Sequence, residues 1–304
     1  MNGTYPIWGE GLSREAYSRW NQGQMETAWG RGHLRRVAFV EGGKVLASAK
    51  RYDFEGRLFG GPVGVLGIGA VFTPPEQRGR GYAAALIGAM SAEAEARGAG
   101  MALLFSEIGA RYYEALGFRV LPREQVTIAV KPFTGSPAML VRSGEPGDLP
   151  VIAEISARYA DDAAFALERT PDLLAFGLAR KRLLAGLGAP GVRQVEFFVA
   201  EEGMKAAAYV VMTRGPYGWA LEDCGDRDPT GARIGAMLQV LSARAPAEPP
   251  LQLRGWLPDS LRPPQVRVDG QMPSKDVMMW RQLGAGRPTP ETLAPVVYWP
   301  LDLF

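Results

Sequence analysis

Apolar residues recur at spacings of three and four at Ala83, Leu86, Ile87, Met90 and Ala94, which predicts a helix that Arg97 and Gly98 end. Ahead of it, Arg36 to Tyr52 reads as two strands around the turn Glu41-Gly42-Gly43-Lys44. The Gly-rich apolar stretch GGPVGVLGIGAVFT suits a buried strand that needs close backbone approach. A first helix runs from Ser13, its N-cap, to Ala28, with Tyr17, Trp20 and Met25 as a broken apolar face. Beyond the central helix come a strand, MALLF, a brief helix, ARYYEAL, stopped by Gly117, and two short strands within FRVLPREQVTIAV. The first half therefore reads α, β, β, β, α, β, α, β, β.

KPFTGSPAM, at 131–139, is a Pro/Gly/Ser-bearing connector. After it, VRSGEPGDLPVIAEISARY reads as strand, turn and helix, followed by a Leu-rich helix around 171–187. Strands VRQVEFFVAEE and KAAAYVVMTR flank a turn at Gly203, and GWALED is a third strand. DPTGARIGAMLQVL is helical after Pro229, and LQLRGWLP is a strand. This order resembles that of the first half, so the expected fold class is α/β, a mixed central sheet flanked by helices, followed by a second domain of the same kind. The expected domains are 1–132 and 140–304, a division that a length of 304 residues accommodates, since domains usually hold roughly 100 to 200 residues.

Composition narrows the chemistry. The chain is 47% hydrophobic and 22% charged, as in ordinary globular proteins, and its net charge is only +2. Any anion site must then come from a local cluster, and nucleic acid is not an expected partner. No run of about 18 apolar residues occurs, so no membrane association and a cytoplasmic location are expected. One cysteine, Cys224, and one histidine, His33, leave no disulfide and no thiolate and imidazole metal site. Acid and base work falls to Tyr, Asp, Glu or backbone groups.

The turn between GAVFT and the central helix, PPEQRGRGYAAAL at 74–86, concentrates the remaining signal. A strand that runs into a glycine-bearing turn and then a helix presents free backbone N–H groups to a phosphate. Gly79 and Gly81 let the chain bend and an anion approach, while Arg78 and Arg80 add charge. The length of the run, Arg78 to Ala83, suits a pyrophosphate better than a single phosphate. Other phosphate motifs fit less well: no GxxxxGK[ST] occurs, and Gly67-Ile68-Gly69 meets Phe72 where a dinucleotide motif needs a third glycine. The competing account is an exposed turn with solvated arginines.

Arg78-Gly79-Arg80-Gly81-Tyr82-Ala83 resembles the R/Q-x-x-G-x-G/A motif of the GCN5-related N-acetyltransferase (GNAT) superfamily. Tyr113-Glu114-Ala115-Leu116-Gly117-Phe118 is similar to its second signature, Y-x-x-x-G-F. The resemblance implies that the amides of Arg78, Gly79, Arg80, Gly81, Tyr82 and Ala83 bind the pyrophosphate of acetyl-CoA. It also implies that the pantetheine arm pairs with Val71, Phe72 and Thr73, whose backbone polarises the thioester carbonyl. Tyr113 matches the family tyrosine that protonates the departing thiolate, although its ring would also serve as packing. Glu107, after MALLF, is the candidate base against the plainer reading of a solvated carboxylate; Glu222 and Asp223 are lesser candidates.

In the second half the equivalent turn is CGDRDPTGAR, where Asp226 and Asp228 would repel a pyrophosphate. That half is expected to wall the acceptor cleft. SEIGARYYEALGFRVLP and MPSKDVMMW resemble fungal tandem-GNAT lysine N6-acetyltransferases. The enhanced intracellular survival acetyltransferases are similar in using two GNAT-like regions and a terminal carboxylate as base. Through that likeness the carboxylate of Phe304, in YWPLDLF, becomes a candidate beside the plainer reading of an aromatic that packs. The expected function is acetyl-CoA-dependent transfer to a primary amine of a small molecule or amino acid, by a monomer or homodimer without a metal. The alternative is a non-catalytic acyl-CoA sensor.

Overall fold

The computed structural model describes residues 3–132, 139–215, 218–244, 252–284 and 293–304. The first half holds α1 (Tyr5–Trp8), α2 (Arg14–Glu26), α3 (Ala28–His33), β1 (Leu34–Glu41), β2 (Lys44–Leu58), β3 (Gly61–Phe72), α4 (Tyr82–Ala96), β4 (Ala99–Ser106), α5 (Arg111–Glu114), β5 (Arg119–Leu121) and β6 (Glu124–Val130). The second holds β7 (Leu140–Ser143), α6 (Leu149–Ala157), β8 (Phe165–Leu167), α7 (Pro171–Leu187), β9 (Gln194–Glu202), β10 (Lys205–Gly215), β11 (Gly218–Asp226), α8 (Ala232–Arg244), β12 (Gln252–Gly255), β13 (Val266–Pro273), β14 (Val277–Gln282) and β15 (Val296–Val297). Ser13 caps α2 by accepting the Ala16 N–H at 3.1 Å. Gly42 and Gly43, both at positive φ, make the two-residue hairpin turn between β1 and β2.

Two mixed sheets result. The first runs β15-β8-β2-β3-β4-β14-β5 with β1 beside β2, and the second runs β13-β6-β12-β11-β10-β9-β7. The sheets do not divide where the chain was expected to divide at 132 and 140. β6, from the first half, lies between β13 and β12, while β14, from the second, lies between β4 and β5. The connector's residues 133–138 lie outside the described residues.

The period of two along the central strands sorts side chains onto opposite faces of the first sheet. Ala47, Ala49, Leu66, Ile68, Ala102 and Leu104 meet Leu86, Ile87, Met90 and Ala94 of α4. Each fully buried Leu, Ile or Met side chain there contributes roughly 1.5–3 kcal/mol. Tyr52, Phe54, Val65, Met101 and Leu103 point to the other face and pack on Trp29, Leu173 and Phe176. α7 serves both sheets, since Leu174 and Leu178 belong to the core under the second. This second face of the first sheet is thereby held against the second half of the chain.

Candidate active site

The site begins with a parting of strands. Parallel pairing of β3 with β4 ends at Ile68 opposite Leu104. β3 goes on beside β2 as far as Phe72, opposite Ser48, while β4 goes on beside β14 as far as Ser106, opposite Val277. The cause is a β-bulge: Lys50 opposes Gly69 and Ser48 opposes Phe72, so Ala70 and Val71 together face Ala49. Ala70 sits at φ +48, the left-handed region that a residue with a Cβ seldom adopts. Bending β3 here leaves Val71, Phe72 and Thr73, all half-buried, bordering an opening towards Phe105 and Ser106.

The predicted cradle follows. Gly79 and Gly81 have φ of +76 and +79, with nothing within 4 Å of where a Cβ would stand. Glycine is needed for the backbone turn, and the space before it is open. Gly81 is the N-cap of α4 and supplies no side-chain cap. The first helical hydrogen bond is Ala85 N–H to Gly81 C=O at 2.9 Å, so the amides of Tyr82 and Ala83 precede any intrahelical acceptor. The Arg78 amide is turned instead to the Pro75 carbonyl at 3.3 Å, and its guanidinium Nε donates to the Thr73 carbonyl at 3.3 Å. The open run of amides therefore starts at Gly79, with the side chains of Arg78 and Arg80 exposed beside it. An open, uncapped helix start next to two arginines fits the pyrophosphate of acetyl-CoA.

Tyr113 is 8% exposed and packs with Leu86, Ile87 and Phe118 on the α4 face. Burial, then the neighbouring Tyr112 and Glu107, push its phenol up to about 12, so it carries its proton throughout the neutral range. Among the described residues its hydroxyl has no hydrogen-bond partner. Glu107 is exposed beyond the end of β4 and accepts the Trp8 indole N–H at 3.3 Å. The segment around α1 thus reaches over the same end of the sheet.

The lesser base candidates are committed elsewhere. Glu222 pairs with Lys181 at 2.9 Å and accepts the Thr213 hydroxyl at 2.5 Å. Burial alone would raise it, but Lys181, Thr213 and Arg180 together hold it below the usual carboxylate range. Asp223 is held by Arg169 and the Tyr209 hydroxyl, and Arg169 also reaches Asp302 at 3.0 Å. These ties fasten β11 to the chain around residue 302.

The sequence reasoning passed over an aromatic group on the opposite face. The Phe304 ring lies 4.7 Å from Tyr52, 5.2 Å from Phe54 and 5.4 Å from Phe105, and Phe105 lies 5.1 Å from Tyr298. The packing expected of Phe304 is therefore present, and its place is against Gly67 and Gly69 of β3, beside the opening. The pair Gly67 and Gly69, two positions apart on one face of an otherwise apolar strand, was the available signal. His33 stacks on Trp29 at 4.8 Å, and its Nδ1 lies 2.9 Å from the Trp29 carbonyl, away from this group. Among the described residues no cluster of His, Cys, Asp or Glu could hold a metal, and no helix is long and apolar enough to cross a membrane.

The corresponding turn of the second half is closed. The Asp226 carboxylate accepts the N–H groups of Asp228 and Arg233, each at 2.9 Å, and the Arg233 guanidinium at 3.0 Å. An internal anion occupies the start of α8 where α4 offers open amides.

Residues 11–121 match the family model described as an acetyltransferase (GNAT) domain. That match covers somewhat over a third of the chain. The chain resembles the solved structure of a probable N-acyltransferase from Enterococcus faecalis V583, with 16% identity over 93% of this chain and 68% of that one and a TM-score of 0.68. A GCN5-related N-acetyltransferase from Anabaena variabilis is similar, at 16% identity, 92% and 68% coverage and a TM-score of 0.63. A tandem GNAT protein from the clavulanic acid biosynthesis pathway is 12% identical over 93% and 94% of the two chains, with a TM-score of 0.51. At such identities the likeness is one of fold, and it extends over both halves of this GNAT-fold chain. No curated protein matches the sequence.

Proposed function

We propose that the protein is an acetyl-CoA-dependent N-acetyltransferase acting on a primary amine of a small molecule or amino acid by direct attack. The observation that carries this reading is the bulge at Ala70, which opens β3 from β4 beyond Ile68 and Leu104 while the same strand leads into the open glycine turn. Residues 1–132 supply the cofactor site, and residues 140–304 wall the acceptor cleft, with β8, β14 and β15 lent to the first sheet. The closed turn at Asp226 supports a single cofactor site.

Acetyl-CoA supplies an activated acyl thioester. The amides of Gly79 to Ala83, with Arg78 and Arg80, bind its pyrophosphate, and Val71 to Thr73 pair with the pantetheine arm. A backbone N–H on the parted edge of β3 polarises the thioester carbonyl, a donor fixed before charge develops. Tyr113, kept protonated by burial, donates its proton to the departing sulfur. Glu107 takes the proton of the attacking amine at the mouth of the cleft, directly or through water. Thiol release from acetyl-CoA over a panel of amines tests the reading; a protein that binds the thioester but releases no thiol with any amine would be the sensor instead.

A further inference from the structure

Arg36, Lys50 and Gly69 form one row across β1, β2 and β3, since Arg36 opposes Lys50 and Lys50 opposes Gly69. Directly opposed residues share a face of the sheet, so the two cations lie on the face that carries Tyr52 and Phe304. Lys50 is only 8% exposed, over the Trp20 ring at 5.5 Å, and among the described residues its one hydrogen bond is a long one to the Gln24 side chain, 3.4 Å. Trp20 in turn donates its indole N–H to the Arg180 carbonyl at 3.1 Å, which brings α7 to the same place. Arg180 places its guanidinium on the Leu301 carbonyl at 3.1 Å, and Arg36 Nη1 is buried with no hydrogen-bond partner among the described residues.

Among the described residues none of these three cations is in a salt bridge. The carboxylates that Arg180 faces, Glu222 and Asp302, are already paired with Lys181 and Arg169. α2 contributes Tyr17, Trp20 and Gln24, and β2 contributes Tyr52, none of them an anion at neutral pH; the carboxyl carbon of Phe304 lies 3.6 Å from where a Cβ on Gly69 would stand, and among the described residues that carboxylate forms no ion pair with any of the three cations. Three like charges gathered on one face of the sheet repel one another, and the burial of Lys50 removes the water that would screen it. The molecule records the cost: burial, then Arg36 and Arg180, pull Lys50 down from its ordinary value to about 7. An anion of the right size would relieve all three.

Resting on the acetyltransferase reading, we infer that the acceptor amine carries an anionic group, a carboxylate or a phosphate, which Lys50, Arg36 and Arg180 bind. The row ends at Gly69, so the anion lies about one strand spacing, roughly 5 Å, from the β3 edge where the acyl group is transferred. That spacing suits an amine separated from its acidic group by a few bonds. It excludes long polyamines, whose second ammonium would meet the same cations.

The test compares each standard amino acid with its own primary amide, and with 2-aminoethyl phosphate as the phosphate arm, by thiol release at saturating acetyl-CoA. The expected result is a carboxylate or a phosphate used at least about tenfold better in kcat/KM than the neutral amide. The Lys50→Met and Arg180→Gln proteins should raise KM for the anionic acceptor about tenfold to a hundredfold, the range of one charge-assisted contact, and bring the ratio of acid to amide towards one. A melting shift with acetyl-CoA checks that each variant is folded. As a readout independent of turnover, N-acetyl amino acids should raise the melting temperature of the wild type more than their amides do. Equal use of acid and amide overturns the anionic acceptor and leaves the acetyltransferase standing. Selective binding of the N-acetyl acids without thiol release keeps the anion site and removes the catalysis. Neither release nor selective binding overturns both.

Discussion

Gly67 and Phe304 meet on the face of β3 beside its opening: a Cβ on Gly67 would stand 3.0 Å from the Phe304 ring, as well as 2.6 Å from Phe54 and 3.0 Å from Tyr52 Cβ. The bare strand is what lets the aromatic group seat against β3. Gly67→Ala should lower stability by roughly 1–3 kcal/mol, the usual cost of overpacking a core. Urea midpoints would show it, and a wild-type midpoint would mean that the aromatic rings yield without cost.

Ala70 holds a left-handed backbone at the bulge, and the geometry predicts how replacements there behave. Ala70→Gly should be neutral or gain up to about 1 kcal/mol, because strain is relieved against a modest entropic cost. Ala70→Val should lose roughly 1–3 kcal/mol, since a β-branched residue tolerates positive φ least. Denaturation of the pair in parallel checks this, and equal stability of the two would remove the strained bulge from the account.

Much of the unit from β3 through the glycine turn to α4 was legible in the sequence, because it is local. The helix with apolar residues at 83, 86, 87, 90 and 94, the glycines at 79 and 81, and the Y-x-x-x-G-F stretch each carry their meaning within a few residues. The bulge at Ala70 was not legible, since it consists of a register shift against Ala49 on another strand. The exchange of β6 and β14 between sheets escaped for the same reason: strand periodicity shows that a segment pairs but not with which partner. The cluster of Arg36, Lys50 and Arg180 is assembled from three elements and looks in sequence like ordinary surface charge.

Tyr113 should be replaceable without loss of fold but not of chemistry. Tyr113→Phe is expected to lower turnover about 10²-fold, the low end for general acid catalysis, while acetyl-CoA still binds. With the phenol pushed up to about 12, its ionisation should not limit the wild-type rate anywhere between pH 6 and about 10. A wild-type turnover number in the variant would refute the role.

Lys50 should leave a mark on the pH dependence of stability. Its folded value of about 7 lies below its unfolded value of 10.5, so between those limits the unfolded chain holds a proton that the folded chain has shed. Stability then rises with pH across that window, and the full penalty is present below about 7. Lys50→Met should therefore be more stable than the wild type at pH 6, on the order of a few kcal/mol, with an advantage that shrinks towards pH 10. A difference that stays constant with pH would contradict this burial of charge.

The central claim is that the turn from Gly79 to Ala83 holds the pyrophosphate of acetyl-CoA. The most direct measurement is the melting temperature of the wild-type protein and of an Arg78→Ala, Arg80→Ala double variant as acetyl-CoA is added. At 100 times the dissociation constant the ligand should stabilise the wild type by about 2.7 kcal/mol, with the variant needing at least about tenfold more ligand for the same rise. A wild-type melting temperature that does not move with acetyl-CoA would contradict the account.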